Sequence, residues 1–300
     1  MDDGIITEAA KLLLAGELVA FPTETVYGLG APIFNEQGVA KIYAVKGRPS
    51  DNPLIAHIAD LKDVERIARE IPDDFYVLAS HFFPGPLTVV LKKHPLVPPM
   101  VSAGLDTIAL RMPSHPLALA LIKAVGEPLV APSANLSGRP SSTKAQHVLE
   151  DFEGKIGGVI DGGESVFGIE STVISLIDAP TLLRPGVIPE EEIEKVLGKK
   201  LQRASAGAQG SPGMRHRHYA PRGNMRLAFS EDEIGPAERV FSRTSSSYPL
   251  SAHTLYDLLR QADREGVQEI VVYCDEEIQK DEGLMDRLRR ASEDKRSHHP

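Results

Sequence analysis

The stretch STVISLIDAPTLLRPG, residues 171–186, decides the fold class. Its two apolar runs, STVISLI and TLLRPG, are separated only by Asp178, Ala179 and Pro180. Parallel neighbours in a sheet need a crossover of a dozen residues or more, whereas antiparallel neighbours can be joined by a tight turn. This pair is too close for a crossover helix. Upstream, LVAF (18–21), PLIAHIA (53–59), LTVVLKK (87–93), TIALRMP (107–113), PLVAPSA (128–134) and GGVID (157–161) share the short apolar character and the Gly, Pro, Asp or Ser borders of strands. Between them ITEAAKLLLAG (6–16), EQGVAKIYAV (36–45), KDVERIAREI (62–71), HPLALALIKAVG (115–126) and PEEEIEKVLG (189–198) read as helices, several ended by glycine. The mixture predicts an α/β domain with a mixed sheet over residues 1–201. The helix at 115–126 is apolar on nearly all sides, which predicts that it is buried.

Beyond residue 201 the texture changes. RASAGAQGSPGMRHRHYAPRGN is poor in apolar residues and rich in Gly, Ala, Ser and Pro, so residues 202–224 read as a linker. A small domain follows over 225–300, with strands at MRLAFS, ERVFS and QEIVVYC. Helices are expected at 254–265, with Leu255, Leu258, Leu259 and Ala262 on one face, and at GLMDRLRRAS. The tail EDKRSHHP reads as disordered.

The formal charge of −9 disfavours non-specific nucleic-acid binding, which runs on clustered Lys and Arg. Any tRNA contact is therefore expected to be weak. No apolar run is long enough for a membrane span, and the amino terminus is acidic where a signal peptide would be basic. One cysteine, Cys274, forms no intramolecular disulfide and fits a reducing compartment, which predicts a cytoplasmic protein. Set in EIVVYC, Cys274 reads as a core thiol.

Candidate chemistry gathers at strand ends and loops. In KGRPSDNP (46–53), Gly47, Pro49 and Pro53 oppose a regular helix. An extended chain there would turn Lys46, Arg48, Ser50 and Asn52 to one face, ready for an anion. FPTETVYGLG places Thr23 and Thr25 beside Gly28 and Gly30, without the spacing of a P-loop or a dinucleotide fingerprint; it is a ligand-approaching loop or a plain strand-to-loop turn. TIALRMP puts Thr107, Ala109 and Arg111 on one side and Ile108, Leu110 and Met112 on the other. Arg111 there suits a surface salt bridge or, by its planar fork, a carboxylate. Ser133, Asn135 and Ser141 in PLVAPSANLSGRPSS suit a nucleotide or their own turns. Ser171 and Arg184 flank two strands, and His57 sits among apolar residues, where a core role is common. No Ser/His/Asp signature and no zinc spacing is present. Residue patterns alone reach an α/β protein that binds a small anion, with a nucleotide as the favoured ligand.

FPTETVYGLG, KGRPSDNPL, FFPGPLTVVL, TIALRMP, APSANLSG, IESTVISL and LLRPG, in this order, resemble the YrdC-like family of L-threonylcarbamoyladenylate synthases. The resemblance covers residues 4–200, and SPGMRHRHYAP with the segment after it is similar to the long form with a carboxy-terminal accessory domain. It implies a YrdC-like twisted mixed sheet with flanking helices plus a small α/β, Rossmann-like domain. The implied reaction joins L-threonine, bicarbonate and ATP, with Mg²⁺, into threonylcarbamoyl-AMP and pyrophosphate. Downstream threonylcarbamoyl transferase machinery would place the group on tRNA. By that resemblance Lys46 and Arg48 meet the phosphates. Asn52, Thr107, Ser133, Asn135, Ser141, Arg184, His218 and Tyr219 complete the ATP site, and Thr25, His57, Arg111, Ala131 and Ser171 form the threonine pocket. No protein metal site is implied, Mg²⁺ entering on the ATP phosphates. The linker, with Arg215, His216, Arg217, His218 and Tyr219, is similar to a lid over the nucleotide. The rival readings are a carbamoyl-adenylate enzyme, an RNA-binding module and a nucleotide-binding regulator without turnover.

Overall fold

The computed structural model describes residues 3–204 and 218–292. The tail and most of the expected lid, including Arg215, His216 and Arg217, lie outside the described residues. The larger sheet contains β1 (Val19–Phe21), β2 (Gly28–Pro32), β3 (Ile55–His57), β4 (Ala68–Arg69), β5 (Leu87–Lys93), β6 (Thr107–Arg111), β7 (Leu129–Val130), β8 (Gly158–Val159), β9 (Thr172–Ser175), β10 (Thr181–Arg184) and β11 (Gln202–Arg203). Its order is β11-β10-β9-β5-β6-β3-β7-β2-β1-β8, with β4 on the edge of β5. The pairing is mixed: β9 and β10 are antiparallel, as their short connection requires, whereas β3 with β6 and β5 with β9 are parallel.

Helices α1 (Asp3–Leu14), α2 (Glu36–Lys46), α3 (Val64–Ile67), α4 (Asp73–Phe82), α5 (Pro116–Val125), α6 (Ala145–Phe152) and α7 (Glu190–Leu197) flank this sheet. The period-2 alternation of its strands divides the core. Val19, Phe21 and Leu129 pack with Ile6, Leu13, Leu121 and Ile122 of α1 and α5. Ala20, Val130, Ile108 and Leu110 belong to the cluster that also buries Val39, Ile42, Phe75, Leu78 and Phe152.

Several local expectations are corrected. The segment at 62–71 is one 3-10 turn and one short helix, and then Ala68 and Arg69 pair with Lys93 and Lys92 as β4. Sheet hydrogen bonds available at that edge displace the last helical turn. Only one side of α5, with Ala118, Leu121, Ile122 and Val125, is fully buried, because a single partner helix and the sheet cover it. Gly28–Pro32 is a strand, not merely a turn; a Cβ on Gly30 would come within 2.8 Å of the Phe21 ring. The KGRPSDNP segment is not extended. Lys46 is the last residue of α2, Gly47 closes that helix in the left-handed conformation (φ 59°), and Arg48 folds back over a turn onto the carbonyls of Asn52 and Pro53.

The carboxy-terminal unit has β12 (Asn224–Ala228), β13 (Arg239–Phe241) and β14 (Glu269–Tyr273), all parallel in the order β12-β14-β13. Helices α8 (Leu255–Arg264), α9 (Glu276–Lys280) and α10 (Glu282–Ser292) accompany it. Leu255, Leu258, Leu259 and Ala262 are buried together, and so is Cys274. Val26 and Ile169 of the larger unit enter the same apolar cluster, so the two units share part of a core.

Candidate active site

Chain reversals around the middle of the larger sheet bring distant residues to one cleft. Register aligns His57 with Arg111 across the parallel pair β3–β6. Beside them the chain after β7 continues through Ala131, Pro132 and Ser133, with Ala131 N–H bonded to Ile55 O at 3.0 Å. Ser171 leads into β9 and Arg184 ends β10, so their antiparallel pairing makes them neighbours. The cleft is lined by Thr25, Lys46, Arg48, His57, Arg111, Ala131, Ser133, Asn135, Ser171, Arg184, His218 and Tyr219, with Thr23 and Gly28 of the same FPTETVYGLG loop, together with residues that were not anticipated, among them Tyr27, Arg139 and Glu170.

Lys46, Arg48 and Arg184 gather at one end. Lys46 is buried at the end of α2 and its Nζ donates to the carbonyls of Ser133 and Asn135. Burial, and then Arg48, holds its pKa well below the ordinary lysine value. Burial likewise lowers Arg48 to about 10, and lowers Arg184. Arg184 donates through Nη2 to Ser171 O at 2.9 Å and Ser171 Oγ at 3.3 Å. Desolvated cations that depress one another are relieved by an incoming anion, and a polyanion relieves several at once. Asn135 donates its amide to Leu136 O and Arg139 O, which leaves its buried Oδ1 without a protein partner and able to accept from a ligand.

The other end is different in kind. Arg111 Nη1 donates to Thr25 Oγ1 at 2.7 Å, and Nη2 to Glu24 Oε1 at 2.9 Å. Glu24 also accepts the Ser114 N–H, so the carboxylate is anchored and in turn fixes the guanidinium. Arg111 Nε is buried without a protein partner, a donor available to a ligand. Thr25 is set by a turn in which Thr23 Oγ1 accepts from the N–H of Thr25 and of Val26. His57 Nδ1 lies 3.1 Å from Ile55 O, and burial followed by Arg111 lowers its pKa to about 3, so the ring is neutral and donates through Nδ1.

Three candidates do not line the cleft. Thr107 starts β6 at the end remote from Arg111, four strand residues or about 13 Å away, so the structure does not bring it to the site. Asn52 supports Arg48 from behind through its carbonyl, and Ser141 supports the wall by donating to Glu170 Oε1 at 2.6 Å. Glu24 and Glu170 were missed, although each is adjacent to a residue singled out by type, Thr25 and Ser171. Tyr256 and Arg287 of the small unit bond Glu170 from behind the cleft wall, and nothing in their helical sequence pattern signals it.

A cleft with a cluster of cations at one end and a hydroxyl-lined arginine site at the other carries the groups that suit a polyanion and a small carboxylic acid. The chain belongs to the Sua5/YciO/YrdC family. The family model described as "Telomere recombination" matches residues 11–186, and a model described as "Threonylcarbamoyl-AMP synthase, C-terminal domain" matches residues 188–293. The chain is 45% identical to the threonylcarbamoyl-AMP synthase of Pyrococcus abyssi, over 95% of this chain and 93% of that one. It is 51% identical to the threonylcarbamoyl-AMP synthase of Bacillus subtilis, over 80% and 69%. The crystal structure of P. abyssi Sua5 complexed with L-threonine is similar with a TM-score of 0.91 at 43% identity, covering 97% of this chain and 95% of that one. A variant of that protein with a His–Tyr pair replaced by alanines is similar with a TM-score of 0.89. No helix among the described residues is long and apolar enough to cross a membrane.

Proposed function

We propose that the chain is a threonylcarbamoyl-AMP synthase of the long form, using L-threonine, bicarbonate and ATP. The observation that carries this reading is that one continuous wall, Ala131 to Ser133, joins the arginine site to the cationic site. The solved relative named with L-threonine supports placing threonine at the Arg111 end. Its carboxylate would take the remaining N–H groups of Arg111, and its hydroxyl would lie among Thr25, His57 and Ser171. ATP would set its phosphates on Lys46, Arg48 and Arg184, whose third ammonium proton and outer guanidinium N–H groups are suited to them. His218 and Tyr219 would cover the nucleotide; the chain has one His–Tyr pair, and these are its residues.

In the reaction the threonine amine captures bicarbonate or carbon dioxide as a carbamate, releasing a proton. A carbamate oxygen attacks the α-phosphorus, the bond to the β-phosphate oxygen breaks, and pyrophosphate leaves. The residues act by positioning and by neutralising charge, and no covalent nucleophile is required. The Glu170 carboxylate in the cleft wall is taken up by Ser141, Tyr256 and Arg287. Mg²⁺ would enter on the ATP phosphates and supply further charge neutralisation there. The product would pass to a transferase that modifies tRNA, in the reducing cytoplasm that a single buried thiol suits.

Pyrophosphate release from the full-length protein, with ATP, Mg²⁺, L-threonine and bicarbonate each omitted in turn, tests the reading. Release that requires all of them, with the mass of threonylcarbamoyl-AMP in the products, is expected. Release indifferent to threonine and bicarbonate would sink it.

A further inference from the structure

We propose that Arg287, which belongs to the small unit and lines no part of the cleft, is a positioning residue of its nucleotide end: it draws the Glu170 carboxylate to itself and so keeps Arg184 for the phosphates. The proposal rests on reading that end as the ATP site. Glu170 is the one carboxylate among the described residues lining the cleft. A bare carboxylate there would repel a polyphosphate and compete with it for Arg184.

Instead both Glu170 oxygens are occupied from the far side. Oε2 accepts from Arg287 Nε at 2.9 Å and from Tyr256 OH at 2.9 Å, while Oε1 accepts from Ser141 Oγ. Burial by itself would push the Glu170 carboxyl up, but Arg287 and then Arg184 outweigh it and hold the group ionised. Arg184 and Arg287 therefore act on one charge, and the hydrogen bond goes to Arg287.

The clasp is also mechanical. Arg287 is wholly buried and donates to Pro185 O at 2.6 Å and to Glu170 O at 3.3 Å. It thereby ties the residue after Arg184 to the residue before Ser171. Gly283, in the first turn of α10, lies so close that a Cβ there would stand 2.7 Å from Gly186 O. The helix carrying Arg287 thus approaches the strand end as nearly as the backbone permits.

The test measures ATP and L-threonine affinity by calorimetry, and KM for each, in the full-length protein. Arg287→Met should weaken ATP at least about tenfold while threonine stays within about threefold, because a buried charge partner has been removed locally. Adding Glu170→Gln should return ATP affinity to within about threefold of the starting protein, a rescue that a merely structural role would not show. Tyr256→Phe removes one donor without altering shape and should weaken ATP about threefold, again reversed by Glu170→Gln. Equal loss for both ligands, or a double variant as weak as the single, overturns the proposal. If Arg287→Met does not fold, the Tyr256→Phe pair decides: no loss, or an unrescued loss, also overturns it. An unaltered protein that binds no ATP overturns instead the functional reading beneath.

Discussion

Arg111→Lys gives the sharpest test of the threonine end. The native guanidinium commits one N–H of Nη1 to Thr25 and one of Nη2 to Glu24, leaving buried Nε and the second N–H of each terminal nitrogen for a carboxylate. An ammonium has three N–H groups. After two are committed to Thr25 and Glu24, one remains, so a carboxylate held bidentately by the guanidinium keeps one charge-assisted bond in the variant and loses the other. The positive charge survives, so Glu24, 5% exposed in its side chain, keeps a counter-ion and the fold is spared an unpaired buried carboxylate. A charge-assisted bond is worth about 1.5–3 kcal/mol, or roughly 10- to 150-fold in affinity. Calorimetric titration should therefore show threonine binding weakened by that range, with ATP changed by no more than about twofold. Unchanged threonine affinity, or an equal loss for ATP, would refute the assignment of Arg111 to the carboxylate.

Arg260 is fully buried and donates to Pro140 O, Ser142 Oγ and the buried Asp151, binding the serine-rich loop to α8. Arg260→Met should cost about 3–5 kcal/mol in chemical denaturation, and a loss under 1 kcal/mol would contradict the burial. His57, lowered to about 3 from 6.5, binds a proton in the unfolded chain that the native chain refuses, so stability falls on acidification below pH 6.5. Between pH 7 and 5 the share of His57 is about 2 kcal/mol, and His57→Asn should remove it; parallel stability–pH curves would count against a neutral buried ring. Gly186 has no room for a Cβ, which would stand 2.5 Å from the backbone of Ser171 and Thr172. Gly186→Ala should destabilise the protein by about 1–3 kcal/mol and weaken ATP and threonine together, since it separates Arg184 from Ser171; loss of one ligand alone would argue otherwise.

The sequence by itself determined the mixed sheet, because three residues between STVISLI and TLLRPG leave no room for a crossover. It also determined the alternation of TIALRMP, whose Ile108, Leu110 and Met112 enter the core while Arg111 reaches the cleft. Residue type picked out Lys46, Arg48, Ser133, Asn135, Ser171 and Arg184, cations, hydroxyls and an amide at breaks in apolar runs. Their conformations were less legible: Lys46 ends a helix because Gly47 adopts the left-handed cap, which residue identity permits but does not compel. Only the tertiary structure decided which cations keep a ligand-facing donor, since that depends on carboxylates brought from elsewhere. Glu24 fixes Arg111 from 87 residues away, and Arg287 takes Glu170 from 117 residues away. Arg260 and Arg287 sit on amphipathic helices where sequence places arginine in water. Burial reverses that expectation, because with the larger unit packed over them carboxylates, carbonyls and, for Arg260, the Ser142 hydroxyl take the place of water.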